Sequence, residues 1–138
     1  MNTKNDNLHK NTVEPLRYTD LTYLIKRTKA NPRLMAEMIS FYLAQTPPLV
    51  VAMNQSFKER NWELLDSAIH KMLPSFSIVG INSEFVDMAT KIQEYAQTHI
   101  HTQELEDMLL QLSNVCNEAC AELNKELMIL METKTDDY

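Results

Sequence analysis

The stretch Trp62-Glu63-Leu64-Leu65-Asp66-Ser67-Ala68-Ile69-His70-Lys71-Met72-Leu73-Pro74-Ser75-Phe76-Ser77-Ile78-Val79-Gly80 decides the fold. Within it Trp62, Leu65, Ile69, Met72, Phe76 and Val79 are spaced 3, 4, 3, 4, 3. That repeat keeps apolar side chains on one side of a 3.6-residue helix, whereas a strand would alternate every second residue. Asn61 precedes the run and suits an N-cap, because its side chain can accept a free N–H of the first turn. Gly80 follows it, and glycine ends a helix in the left-handed conformation without a Cβ penalty.

His70 does not belong to this seam. At about 100° per residue it falls about 130° from the centre of the apolar stripe, so the imidazole is expected in water. Its neighbours within one turn are Asp66, Ser67, Leu73 and Pro74, with Ser77 two turns on. Most are small or polar, which leaves the ring approachable. Pro74 lacks the N–H that would bond the His70 carbonyl, so a kink just beyond the histidine is expected.

The same period extends outward in both directions. Thr19 or Asp20 can cap a short helix carrying Leu21, Leu24 and Ile25. Asn31-Pro32 is a strong start, with Asn as N-cap and Pro at the first helical position. Leu34, Met35, Met38, Phe41 and Tyr42 then follow the helical period. Thr46-Pro47-Pro48 interrupts it, either as a kink or as a break in which Thr46 caps a new segment. Leu49, Met53 and Phe57 resume the stripe, so the two pieces are expected to stay collinear. Beyond Gly80, Asn82 or Ser83 starts a helix with Phe85, Met88, Ala89, Ile92 and Tyr95. After the His99-Ile100-His101 turn, Thr102 can cap a last helix with Leu105, Leu109, Leu112, Cys116, Ala119, Leu123 and Leu130. At about 30 residues that helix spans about 45 Å.

These elements predict an all-α fold: an antiparallel up-down four-helix bundle with a short extra N-terminal helix. One domain is expected over residues 16–132, between tails at 1–15 and 133–138. Composition agrees. One glycine in 138 residues is too few for a turn-rich all-β fold. Nine methionines suit the irregular gaps of helical packing.

Charge and hydropathy exclude several function classes. The net charge of -6, with no basic patch, argues against nucleic acid as a partner. No window holds the roughly 18 continuous apolar residues of a membrane span. Met1 to Lys10 is polar and lacks the apolar centre of a signal peptide. A cytoplasmic, monomeric protein is expected. Cys116 and Cys120 lie four apart on one side of a helix with parallel Cβ vectors, so they read as reduced core residues and not as a disulfide. Nor do two helical cysteines make a metal site. His99 and His101 lack a third ligand and read as a polar turn. His9 is given no role.

A lone exposed imidazole is a nucleophile near neutral pH, and histidine can carry a group covalently. His70 lacks the parts of a hydrolase, because no serine or cysteine nucleophile, acid partner and oxyanion donors are arranged with it. Such a histidine can accept a group from a partner that supplies the metal and the electrostatics.

The run from Ser67 to Gly80 resembles the central motif of histidine-containing phosphotransfer (HPt) domains. Those domains carry a phosphoacceptor histidine followed ten residues later by a glycine. Asp20-Leu21-Thr22-Tyr23-Leu24 and the Asn31 to Leu43 segment resemble the family's first two helices. Asn61-Trp62-Glu63 resembles the turn that leads into the histidine helix. The resemblance spans roughly Leu16 to Met131 and is specific around the histidine. It implies that His70 accepts a phosphoryl group from an aspartyl phosphate on a response-regulator receiver domain and passes it to another receiver. The chain would then be a carrier, not an enzyme, with no cofactor of its own; the receiver would bring the Mg²⁺. Ser67, Lys71, Leu73, Pro74, Ser77 and Gly80 would form the docking environment.

One position departs from the pattern. Many family members have lysine three residues after the histidine, where it can neutralise the phosphate; here that residue is Leu73. Lys71 lies about 100° around the helix from His70 and does not simply substitute. A helical module that binds a receiver or another protein without transfer is the alternative. A structural bundle or a metal carrier is disfavoured, since no Glu-x-x-His pair points inward.

Overall fold

The computed structural model describes residues 17–136, with side chains through Glu132. The elements are α1 (Thr22–Thr28), α2 (Pro32–Lys58), α3 (Trp62–Val79), α4 (Ser83–Thr98) and α5 (Gln103–Asp136). No strand occurs among the described residues. The expected tail at 1–15, with His9, lies outside them.

Local chemistry sets the ends. Asn31 Oδ1 accepts from the N–H of Arg33 at 3.0 Å and of Leu34 at 3.2 Å, with Pro32 at the first helical position. Asn61 Oδ1 accepts from Leu64 N–H at 3.2 Å. Thr102 Oγ1 accepts from Leu105 N–H at 3.1 Å. Asp20 Oδ1 takes both the N–H and the hydroxyl of Thr22, and these bonds hold its carboxyl below the usual range. Asn82 makes no side-chain cap; the chain enters α4 through extended backbone. Lys29, Gly80 and His99 close α1, α3 and α4 in the left-handed region, at φ 54°, 70° and 57°.

Helix α2 neither breaks nor restarts at Pro47-Pro48: it is continuous from Pro32 to Lys58. Both prolines are exposed, so water can serve the carbonyls of Leu43 and Ala44 that lose their i+4 donors. Thr46 is 1% exposed and sits inside the helix, not at a cap. Packing on either side of the prolines, through Tyr42, Val50 and Met53, carries the helix across.

Each long helix packs on two others: α2 on α3 and α5, and α4 on α3 and α5. The four therefore close a ring around one core, and α1 lies across α2 and α3. Loops of a few residues join neighbours, as short connections do in helical bundles. Leu65, Ile69, Met72, Phe76 and Val79 of the α3 seam are fully buried, facing Ile39, Met53, Ile92, Leu105, Leu112 and Leu123. Trp62 is half-buried at the seam's end. The core face of α2 differs from the sequence reading. It is Met35, Ile39, Tyr42, Thr46, Val50 and Met53, while Leu34 and Phe41 are exposed. Positions 34 and 41 each precede a core position by one residue, about 100° around the helix. Ile25 of α1 is likewise exposed, and Leu24 takes the core position.

The segment before α1 is fastened by α5 and by the end of α3. Glu122 of α5 accepts the N–H of Arg17 at 3.0 Å, of Tyr18 at 3.1 Å and of Thr19 at 3.1 Å, and the Thr19 hydroxyl at 2.7 Å. Asp20 then donates its N–H to the Val79 carbonyl at 3.0 Å. Helix α5 has 34 residues and continues past residue 132 to Asp136, where a tail was expected.

Candidate functional site

His70 projects from the outer face of α3. Ile69 and Met72, both fully buried, fix the roll of the helix and leave the residue after Ile69 in water. The imidazole is exposed and has no hydrogen-bond or charged partner among the described residues. One turn earlier, Asp66 is engaged by α4: it accepts from Gln93 Nε2 at 2.9 Å.

The other residues singled out by sequence divide into two groups. Ser67 is half-buried, while Lys71, Pro74 and Ser77 are exposed on the same side of α3 as His70. Leu73 is half-buried and packs against the core, so one turn after the histidine the chain offers a methyl surface, not a cation. Lys71 follows His70 in the chain but lies about 100° around the helix from it. Phe76, three residues beyond Leu73, is fully buried and takes no part in this surface. It occupies the seam position between Met72 and Val79, which points to the bundle axis. Ser75 is buried and donates its hydroxyl to the Met72 carbonyl at 2.7 Å.

Gly80 lies about 15 Å along the helix from His70, ten residues on. It adopts φ +70°, and a Cβ added there would stand 2.0 Å from the Asp20 carbonyl oxygen. Its requirement comes from the packing of the α1 entry, not from the histidine.

Pro74 does not end α3, which continues to Val79. The carbonyl of Lys71, next to that of His70, accepts from Gln45 Nε2 of α2 at 3.4 Å. Beside this contact an apolar groove of about 350 Å³ runs between α2 and α3. Its walls include Met38, Phe41 and Tyr42 from α2 and Pro74 and Ile78 from α3, with Lys71 at its edge. Pro74, one turn after His70, lines the groove, while His70 itself stands outside its walls. The sequence reading missed it because Phe41 was assigned to the core; the available signal was its place one residue ahead of Tyr42. Tyr42 is 2% exposed, and its hydroxyl has no hydrogen-bond partner among the described residues. Burial pushes this phenol well above its ordinary range.

The remaining candidates have structural partners. His99 stacks on Trp62 at 5.9 Å and 11°. His101 Nε2 lies 2.7 Å from Glu106 Oε2, and its ring meets Phe57 edge-on at 5.4 Å. With Arg60 Nη2 3.4 Å from His101 Nδ1, these contacts tie the α2–α3 connection and the helix ends beside it to the 99–102 loop. Among the described residues no group of three or more His, Cys, Asp or Glu is placed to hold a metal. Cys116 and Cys120 are free thiols. Burial pushes Cys116 up to about 12 and raises Cys120 as well, which removes thiolate character at neutral pH. No helix among the described residues is long and apolar enough to cross a membrane.

The fold and site together define an all-helical bundle with an exposed, unpartnered histidine beside an apolar groove. Comparison of the chain with family models, with curated proteins and with solved structures found no match.

Proposed function

We propose that this protein is a histidine phosphotransfer carrier in the cytoplasm, with His70 as phosphoacceptor. The observation that carries the reading is the exposed imidazole, free of competing hydrogen bonds and set beside an apolar groove. A ring nitrogen with a free lone pair attacks the phosphorus of an aspartyl phosphate on a receiver domain. The N–P bond forms, the aspartyl O–P bond breaks, and the carboxylate returns to the receiver. The reverse attack, by the aspartate of a second receiver, unloads the histidine. The receiver supplies the Mg²⁺ that offsets charge on the transferring group. The chain's own contribution is access, the single cation Lys71 nearby, and a docking face that includes Phe41 and Pro74.

The test is incubation with a phosphorylated receiver. Acid-labile, base-stable label on the wild type and none on His70→Gln supports the carrier. A second reading, a receiver-binding module without transfer, is favoured by Leu73 standing where a cation would steady the phosphate. Tight binding with no label would select it.

A further inference from the structure

The outward face of α2 bears a second seam, apolar at five of its seven positions and polar toward both ends, that the bundle does not use. Leu34, Glu37, Phe41, Ala44, Pro48, Val51 and Gln55 are spaced 3, 4, 3, 4, 3, 4, and all are exposed. Phe41 and Val51 are each 67% exposed. From Met38 to Phe57 the helix carries no charged residue. A surface helix normally shows charged and polar residues on its solvent side. A 3–4 repeat of apolar residues is instead the spacing with which one helix seats against another.

The seam is complementary to its own reverse. Positions 41 and 51 are equidistant from Thr46, as are 44 and 48, and 37 and 55. Two antiparallel copies would thus set Phe41 on Val51, Ala44 on Pro48 and Glu37 on Gln55. At each end Glu37 of one copy, which also pairs with Arg33 of its own helix at 3.6 Å, comes within one turn of Lys58 of the other, so unlike charges meet. A parallel pairing would place Glu37 against Glu37. Self-complementarity of one patch is what a two-fold interface requires.

We infer that the outward face of α2 is an interface between two copies of this chain, packed antiparallel about a two-fold axis at Thr46. The inference does not rest on the phosphocarrier reading, and it differs from the monomer expected from sequence. The seam from Leu34 to Lys58 is about 36 Å long and about 10 Å wide. That footprint falls short of the roughly 800 Å² per partner of a standard interface, so the dimer is weak and forms by mass action at high protein concentration.

Sedimentation velocity on the full chain from about 10 µM to about 1 mM at low salt reads this out, in the range where small interfaces associate. The wild type is expected to shift from monomer to dimer across the series. Phe41→Asp and Val51→Asp alter highly exposed positions, so the fold is retained, which circular dichroism checks. Each is expected to weaken association at least about tenfold. Glu37→Lys and Lys58→Glu should each weaken it, and the two together should restore it. A wild type that stays monomeric up to the highest concentration overturns the interface. So does a dimer indifferent to both aspartates, or a double charge reversal no better than the single ones.

Discussion

Gly80 rests against the backbone of Asp20: a Cβ on Gly80 would lie 2.0 Å from the Asp20 carbonyl oxygen, while Asp20 N–H bonds the Val79 carbonyl at 3.0 Å. The left-handed φ of +70° adds a second reason for glycine. Any side chain here strains the backbone and pushes α1 off the end of α3. Gly80→Ala is expected to lower stability by about 2–4 kcal/mol in urea denaturation. A loss below about 1 kcal/mol would mean that the α1 entry yields freely, and that the contact is not what fixes glycine there.

His70, ten residues earlier, makes the opposite prediction. It is exposed and touches no polar partner among the described residues. His70→Gln should therefore change stability by no more than about 0.5 kcal/mol, while abolishing phosphoryl label. A variant that unfolds readily would show that the ring supports the helix and is not held out for a partner.

The sequence carried the helices and the place of His70 because both follow from one period. Trp62 to Val79 alternate 3 and 4, and His70 falls far from the centre of that stripe, whereas Ala68 and Ser75, also off the count, lie beside it and are buried. Asn31, Asn61, Thr102 and Gly80 marked ends because their side chains, or the lack of one, meet needs local to the chain. What was not legible is tertiary. Pro47-Pro48 left a kink and a break both open, and packing by Tyr42, Val50 and Met53 carries α2 through without a break. Phe41 looked like core, since a five-residue apolar cluster does not say which of two adjacent faces the bundle takes. The groove arises where that exposed ring meets Pro74 of another helix, and no spacing within either helix encodes the meeting. The Gly80–Asp20 contact joins residues 60 apart and was equally out of reach.

Glu122 gathers three backbone N–H groups and the Thr19 hydroxyl. The glutamate reaches them from α5, so residues 17–19 are tied to the opposite side of the bundle from α3. Glu122→Ala leaves four donors to find water and frees the α1 entry. A loss of about 1–3 kcal/mol is expected, with faster amide exchange at Tyr18 and Thr19. If exchange there is unchanged, the tether does not order the segment.

Leu73 faces the site half-buried, with its stem against the core. A lysine at 73 can lay its methylenes along the same surface and extend its ammonium to water. A cation about one turn from a phosphorylated His70 would stabilise the added negative charge by on the order of 1 kcal/mol in a solvated setting. Leu73→Lys is thus expected to lengthen the phosphohistidine half-life several-fold, or to speed loading by a similar factor. Equal lifetimes and equal rates would show the missing charge to be irrelevant.

The two thiols are expected to differ in reactivity although they lie on one helix face. Cys116 is fully buried, and burial pushes its thiol from 9.0 up to about 12; Cys120 is half-buried, is also raised by burial, and is less completely shielded from reagent. Alkylation proceeds through the thiolate. At pH 8 the native protein should therefore take one label, at Cys120, slowly, and take the second only on unfolding. The sign of the pH dependence follows from the same shift. Above the unfolded value of 9.0 the unfolded chain loses the Cys116 proton while the native state keeps it until about 12. Native stability is thus full below pH 9 and declines as pH rises through that window. Cys116→Ala should flatten this alkaline decline, at the cost of a small cavity. Mass spectrometry of the labelled protein and urea midpoints across that pH range check both halves. Rapid double labelling of the native protein at pH 8 would show that the core around Met72 and Cys116 opens far more readily than its packing implies.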